Sequence, residues 1–234
     1  MNEFAGKVAL VTGAGKGSGR AVAQAFAARG AVVAANDLTP INLDETLESI
    51  QSQGGRARDY IFDVAKKMPI QALVEAVLRD WERIDFLVTC ASVQPQATVL
   101  NMDEWDWHRT MDVNLAGPFF CMQVVGRVMR QQGGGSIVNI IATSGQDQVL
   151  PGQAAYLASQ SGLMALTRAA AQELADHKIR VNTVCLPALG PTPLTSALTD
   201  EQAYLYQEAA QAAVSLCSQS AVDTTGQIIH IPGG

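Results

Sequence analysis

Short apolar runs alternate with longer stretches of helical period along most of the chain. Residues 7–12 form a β-branched apolar run without polar interruption, the pattern of a strand buried on both faces. Over residues 19–29, Ala, Val and Phe recur at helical spacing, and Gly30 closes the helix. The same alternation predicts strands over 31–36, 57–62 and 84–89. Helices over 43–53, ended by Gly54-Gly55, and over 69–82 separate them. Asp103 stands where a cap precedes a helix near Trp105 and Trp107, and a long helix is expected from about 109 to 132, followed by Gly133-Gly134-Gly135. A strand over 136–141, an Ala-rich helix over 154–177 and a strand over 179–184 come next. A Pro-rich loop over 187–193, one helix over 200–218 and a last strand over 227–231 complete the chain. Strands alternating with helices predict right-handed βαβ units and an α/β fold with a doubly wound parallel sheet. No repeat, low-complexity segment or linker divides the chain, so residues 1–234 are expected to form one domain.

Composition narrows the function classes. With 48% apolar and 16% charged residues in 234, the chain can bury a sizeable core, and its low charge suggests further burial between subunits. A net charge of −6 argues against nucleic acid, and no run of Lys or Arg offers a membrane-surface patch. No segment reaches the roughly 18 apolar residues of a membrane span. The start, Met1-Asn2-Glu3-Phe4, lacks the basic and apolar regions of a signal peptide, so a cytoplasmic location is expected. Cys90, Cys121, Cys185 and Cys217 are widely spaced and read as reduced, buried thiols. His108, His177 and His230 have no companion at ligand spacing, and no metal site is expected.

The first strand runs into Thr12-Gly13-Ala14-Gly15-Lys16-Gly17-Ser18-Gly19, and a helix follows. One glycine lets the chain turn off the strand. Another lets backbone approach a pyrophosphate, and another lets helix and sheet pack closely. The helix N-terminus then offers free N–H groups and a positive dipole end to an anion. The spacing is Gly-x-x-x-Gly-x-Gly, and a tight turn alone would account for it. Its place between strand and helix, and Asp37 after the second strand, turn the reading to a dinucleotide site. Asp37 can accept from both ribose hydroxyls and would repel a 2′-phosphate, which favours NAD over NADP. Lys16 pulls the other way if its charge meets a 2′-phosphate, and is otherwise a solvated loop lysine. Asp63 is a turn residue or an acceptor for an adenine amino group.

Seven segments carry a resemblance to the short-chain dehydrogenase/reductase family over nearly the whole chain. They are Thr12 to Gly19, Asp63-Val64, Met111-Asp112-Val113-Asn114-Leu115, Gly135-Ser136-Ile137-Val138-Asn139-Ile140, Pro151-Gly152-Gln153-Ala154-Ala155-Tyr156, Ile179-Arg180-Val181-Asn182 and Thr225-Gly226-Gln227. The resemblance implies oxidoreduction of a carbonyl/alcohol pair with an NAD(P) cofactor. Tyr156 would be the general acid or base, and Asn114 would support a proton-relay water. A helix-bend residue bonding backbone is the plain alternative for Asn114. The family's two long helices also pair across a twofold axis, which implies a homodimer or homotetramer.

The chain departs from the family in several places. Gln160 stands where the family has a Lys one helical turn after the Tyr. A neighbouring cation lowers such a pKa by roughly 1–3 units, so without one Tyr156 is expected to stay protonated at pH 7. Gln160 can still hydrogen-bond a ribose hydroxyl. The family's substrate-orienting Ser maps to Thr143 when counted back from Tyr156, and to Ala142 when counted forward from Asn139, with Ser144 next door. The Asn-Asn-Ala-Gly that lines the cofactor is here Thr89-Cys90-Ala91-Ser92. After the sixth strand the Pro-Gly turn becomes Pro187-Ala188, and Thr192 is the candidate for a carboxamide contact. The substrate lid over 195–225 has room for about one helix. Two classes of function follow: a weakened NAD(P)-dependent oxidoreductase with unspecified small-molecule substrate, or a catalytically silent nucleotide-binding protein acting as a partner or regulatory subunit.

Overall fold

β1 (Val8–Thr12) is buried along its whole length, as its uninterrupted apolar run requires. It lies inside a seven-stranded sheet with β2 (Val32–Asp37), β3 (Arg56–Ile61), β4 (Phe86–Thr89), β5 (Gly135–Thr143), β6 (Ile179–Pro187) and β7 (Ile228–His230). The order is β3-β2-β1-β4-β5-β6-β7 and every neighbouring pair is parallel. Strand order reverses between β1 and β4, so the C-terminal ends of these strands flank a crevice of the kind in which open α/β sheets take ligands. The computed structural model describes residues 2–143, 151–187 and 198–232.

The helices are α1 (Gly17–Ala28), α2 (Leu43–Ser52), α3 (Lys67–Trp81), α4 (Glu104–Met111), α5 (Gly117–Gln132), α6 (Ala154–Leu174) and α7 (Asp200–Cys217). The sheet separates two cores. One holds Phe26, Val33, Ile50 and Leu205 beneath α1, α2 and α7, and the other holds Leu73, Met129, Ile137 and Leu163 beneath α3, α5 and α6. Phe4, Phe26 and Phe86 form a ring cluster with centroids 4.7–5.5 Å apart, which pins the N-terminus to the sheet.

The helix expected over 109–132 differs in the structure. Asp103 accepts a hydrogen bond from Trp105 N at 2.7 Å, and α4 begins at once behind this cap. Between α4 and α5 the chain makes a π-helical turn over Asp112–Ala116. One extra residue per turn re-aims the side chains there, a common device at functional sites. Gly117 then passes so close to the Val64 carbonyl that a Cβ would lie 2.6 Å from it. β5 and β6 also run further than the apolar pattern suggested, because Thr143 still pairs with Pro187 at their ends. Among the described residues between 198 and 225 the one α-helix is α7. Its start is a capping box: Thr199 Oγ1 accepts from Gln202 N, and Gln202 Oε1 accepts from Thr199 N, both at 3.1 Å. Among the described residues no helix is long and apolar enough to cross a membrane.

Candidate active site

The glycine turn is folded tightly on itself and on the segment after β4. Gly13 has φ +64°, and a Cβ there would lie 2.7 Å from the backbone of Ala91. A Cβ on Gly19 would collide with the Gly13 carbonyl. Gly17, Ser18 and Gly19 open α1, whose N-cap Lys16 makes no side-chain cap bond and whose first turn holds no acid. Among the described residues no side chain caps those N–H groups, so they are available to an anion. Lys16 itself is exposed. Two residues that the sequence reading passed over brace the turn. Arg20 donates to Gly15 O from Nε at 3.0 Å and from its terminal nitrogen at 2.6 Å, and pairs with Glu45 at 2.8 Å. Thr46 Oγ1 donates to Ala14 O at 3.0 Å.

Asp37, the last residue of β2, reaches back to this turn. Its Oδ2 accepts from Gly15 N at 3.0 Å and its Oδ1 from Leu38 N at 2.7 Å. Asp63 is engaged differently: Oδ1 accepts from Ala65 N at 2.9 Å, and Oδ2 pairs with Arg109 at 3.2 Å. Val64 beside it is buried. The Thr89-Cys90-Ala91-Ser92 segment is fastened without the family's Asn pair. Thr89 Oγ1 donates to Asn139 Oδ1 at 2.6 Å, and the N–H groups of Cys90 and Ala91 both donate to Thr12 Oγ1, at 3.2 and 3.4 Å. Burial pushes the Cys90 thiol far above the ordinary range, so it stays protonated and inert.

Tyr156 sits in the first turn of α6, buried, at the same end of the sheet. Burial raises its pKa to about 12; the Ser92 hydroxyl beside it opposes the rise, and Cys185 and Tyr206 add to it. Among these influences no cation appears. Gln160, one turn later, is 3% exposed, and its Oε1 accepts from Ala142 N at 3.1 Å. Its acceptor end is therefore committed to β5, and only its amide N–H groups remain to meet a ribose hydroxyl. The pleat of β5 separates the two residues at which a Ser was sought. Ala142 packs toward the α1 core. Thr143 turns to the other face, where its Oγ1 lies 3.4 Å from Cys185 Sγ, the thiol next to Tyr156. Asn114, in the π turn, spends its amide on structure. Oδ1 accepts from Val93 N at 2.9 Å, and Nδ2 donates to Val93 O at 2.9 Å and to Ser159 Oγ at 3.2 Å. Ser159 in turn donates to the Tyr156 carbonyl at 2.6 Å. Asn114 thus ties the segment after β4 to α6, and among the described residues its hydrogen bonds stop short of the Tyr156 phenol. Pro187 ends β6 opposite Thr143, while Ser144 and Thr192 lie outside the described residues.

The crevice thus places a glycine turn, an acidic residue after β2 and a buried phenol at the carboxyl end of one parallel sheet. The short chain dehydrogenase profile matches residues 7–203. The chain belongs to the short-chain dehydrogenase/reductase family. Among its relatives, a 3-oxoacyl-[acyl-carrier-protein] reductase from Thermotoga maritima is 36% identical, over 98% of this chain and 97% of that protein. A D-threitol dehydrogenase from Mycolicibacterium smegmatis is 37% identical, over 98% of this chain and 92% of its own length. The crystal structure of an NAD+-bound xylitol dehydrogenase superposes with a TM-score of 0.88 at 30% identity, covering 99% of this chain and all of that one. Family membership makes the crevice a nicotinamide dinucleotide site.

Proposed function

We propose that the protein is an NAD-dependent oxidoreductase acting on a carbonyl/alcohol pair, weakened at its acid/base step and better suited to reduction than to oxidation. The observation that carries this reading is Tyr156, a buried phenol whose pKa burial raises to about 12, with no cation beside it.

The residues present fit the dinucleotide. The glycine turn packs so closely on itself and on Ala91 that a side chain at Gly13 or Gly19 would clash with backbone, and the α1 start has N–H groups to offer. Gly13, Gly17, Ser18 and Gly19 would hold the pyrophosphate, and Asp37 the adenosine ribose. Cys90, Ala91 and Ser92 would line the floor, and Gln160 would meet the nicotinamide ribose through its amide N–H groups. Asp37 supports NAD because its carboxylate would stand against a 2′-phosphate. Arg20, a half-buried cation at the turn, is already paired with Glu45 and the Gly15 carbonyl.

When bound, the nicotinamide supplies or accepts a hydride. In reduction Tyr156 donates its phenolic proton to the carbonyl oxygen, for which a protonated phenol is the ready form. In oxidation Tyr156 must first lose that proton, and only the Ser92 hydroxyl, with no positive charge, favours the phenolate. Thr143 orients the substrate oxygen. Asn114 acts through position, holding the Val93 backbone against α6.

Gln160 also supports the second reading, a silent nucleotide-binding subunit, because it carries no charge and its Oε1 is taken by Ala142 N. Fluorescence titration with NADH and NADPH, followed by a screen of carbonyls and alcohols, separates the two. The enzyme reading expects tighter binding of NADH and slow turnover of at least one carbonyl. Binding without turnover of any compound supports the silent subunit, and binding of neither dinucleotide overturns both.

We also infer a homodimer or homotetramer built on α5 and α6. Leu115, Phe119, Gly162, Ala165, Leu166 and Ala169 line one apolar groove between these helices, and Phe119 is 41% exposed. Light scattering at micromolar concentration is expected to give a mass of two or four chains, and a monomer would contradict it.

A further inference from the structure

α7 crosses α1 and brings one aromatic side chain onto the glycine turn. The Tyr206 ring edge and hydroxyl lie 3.6–3.8 Å from where a Cβ on Gly17 would begin. Gly17 is the first residue of α1, so the phenol stands over the helix start whose N–H groups are left without a side-chain cap. Tyr206 is half-buried, packed on the α1 core by its ring, and no hydrogen bond within the described residues engages its hydroxyl. It is also close enough to Tyr156 for the two phenols to interact electrostatically.

We propose that Tyr206 is a dinucleotide-binding residue: its hydroxyl donates a hydrogen bond to the cofactor pyrophosphate, closing the glycine cradle from the side opposite the α1 N–H groups. The inference rests on the dinucleotide reading of the crevice and adds to it a residue from the lid side. Three features support it. A phenol hydroxyl without an internal partner is a donor in search of an acceptor. A donor aimed at a phosphate oxygen makes a charge-assisted bond, roughly twice as strong as a neutral one. The capping box at Thr199 and Gln202 fixes the start of α7 one to two turns earlier, so the ring is carried on an ordered helix. With only one helix in the lid region, Tyr206 supplies from α7 a contact that holds the phosphates while the substrate side stays open.

The test is a binding titration of wild type and Tyr206→Phe with three probes: NADH, ADP-ribose and AMP. Phe keeps the ring packing on Gly17 and removes only the hydroxyl. The expected result is a loss of roughly 10-fold in affinity for NADH and for ADP-ribose, which carry the pyrophosphate, with AMP binding unchanged. The 31P resonances of bound ADP-ribose should also shift between the two proteins. Unchanged affinity for all three probes would show that the phenol is packing alone. Tighter binding of NADH by Tyr206→Phe would show that the hydroxyl obstructs the cradle. Either overturns the proposal while leaving the dinucleotide site intact. If wild type binds neither NADH nor ADP-ribose, the site reading itself falls, and Tyr206 with it.

Discussion

Asp85 and Tyr156 are both buried, at opposite ends of the sheet, and their ionisation is pushed in opposite directions. Burial alone favours the neutral form of each. At Asp85, just before β4, burial raises the carboxyl's pKa, but donors outweigh it and the net shift is downward. Arg83 donates through Nε at 2.8 Å and its terminal nitrogen at 2.6 Å, and Val8 N and Lys7 Nζ each donate at 3.0 Å. At Tyr156 burial meets only the Ser92 hydroxyl in opposition, and the phenol rises to about 12. The amino-terminal end of the sheet thus holds a charge for structure, while the carboxyl end keeps its chemical group neutral. Partners decide, and burial merely sets what is at stake.

Removing the phenol has the largest expected effect. Tyr156→Phe should lower turnover by about 10²–10⁴-fold, the usual contribution of a positioned acid or base, with cofactor affinity and melting temperature close to wild type. Initial rates on the best carbonyl of a screen would check it, and a loss of less than fivefold would remove Tyr156 from the chemistry.

Breaking the other end should unfold rather than disable. Asp85→Ala strips Val8 N of its acceptor and leaves Lys7 and Arg83 facing each other. It should cost about 2–3 kcal/mol in a denaturant melt without changing NADH affinity. The pH dependence follows from the sign of the shift. A carboxylate whose folded pKa is depressed contributes stability that is present above its unfolded pKa and is lost as pH falls through the folded value. Wild type should therefore lose more stability on acidification than Asp85→Asn, and equal acid limbs would show that the network contributes nothing.

Giving Tyr156 the kind of partner that Asp85 has is the third test. Gln160→Lys should raise turnover by about 10- to 100-fold, more in oxidation than in reduction, if roughly 1.4–3 kcal/mol of barrier returns. The same change deprives Ala142 N of its acceptor, so melting should fall by about 1 kcal/mol. Tyr156→Phe should stay inactive in this background. Unchanged turnover would move the defect to Thr143 or to the single-helix lid. The smallest effect belongs to the cofactor end. Asp37→Asn should narrow the NADH over NADPH preference by about fivefold, as one repulsive charge is lost beside a solvated ribose. Titration with both dinucleotides reads it directly.

Much of this frame could be read from residue order. The strand over 7–12, the glycine turn and the helix after it stand where the apolar pattern put them, because they rest on local chemistry. Asp103 caps its helix, and the lid region holds one helix with the expected bounds nearly unchanged. What escaped the sequence depends on partners far along the chain. Arg20 carries no signal of its own in the sequence, because its role needs Asn42 and Glu45 from the next unit. The π turn at Asp112–Ala116 leaves no periodicity signal, since one added residue only shifts the phase. Counting could not choose between Ala142 and Thr143, and the pleat of β5 turns them to opposite faces. Gln160 looked free for a ribose, yet a backbone N–H eighteen residues earlier takes its acceptor.

Tyr156 stays protonated because burial outweighs the Ser92 hydroxyl and no cation stabilises its phenolate. Phenolate absorbance followed against pH, wild type minus Tyr156→Phe, isolates that one phenol and needs no substrate. The account predicts that the difference signal stays absent through the neutral and mildly alkaline range and begins only above the ordinary tyrosine value of 10.0. A signal that titrates near neutrality would reveal a hidden stabilising charge and contradict it.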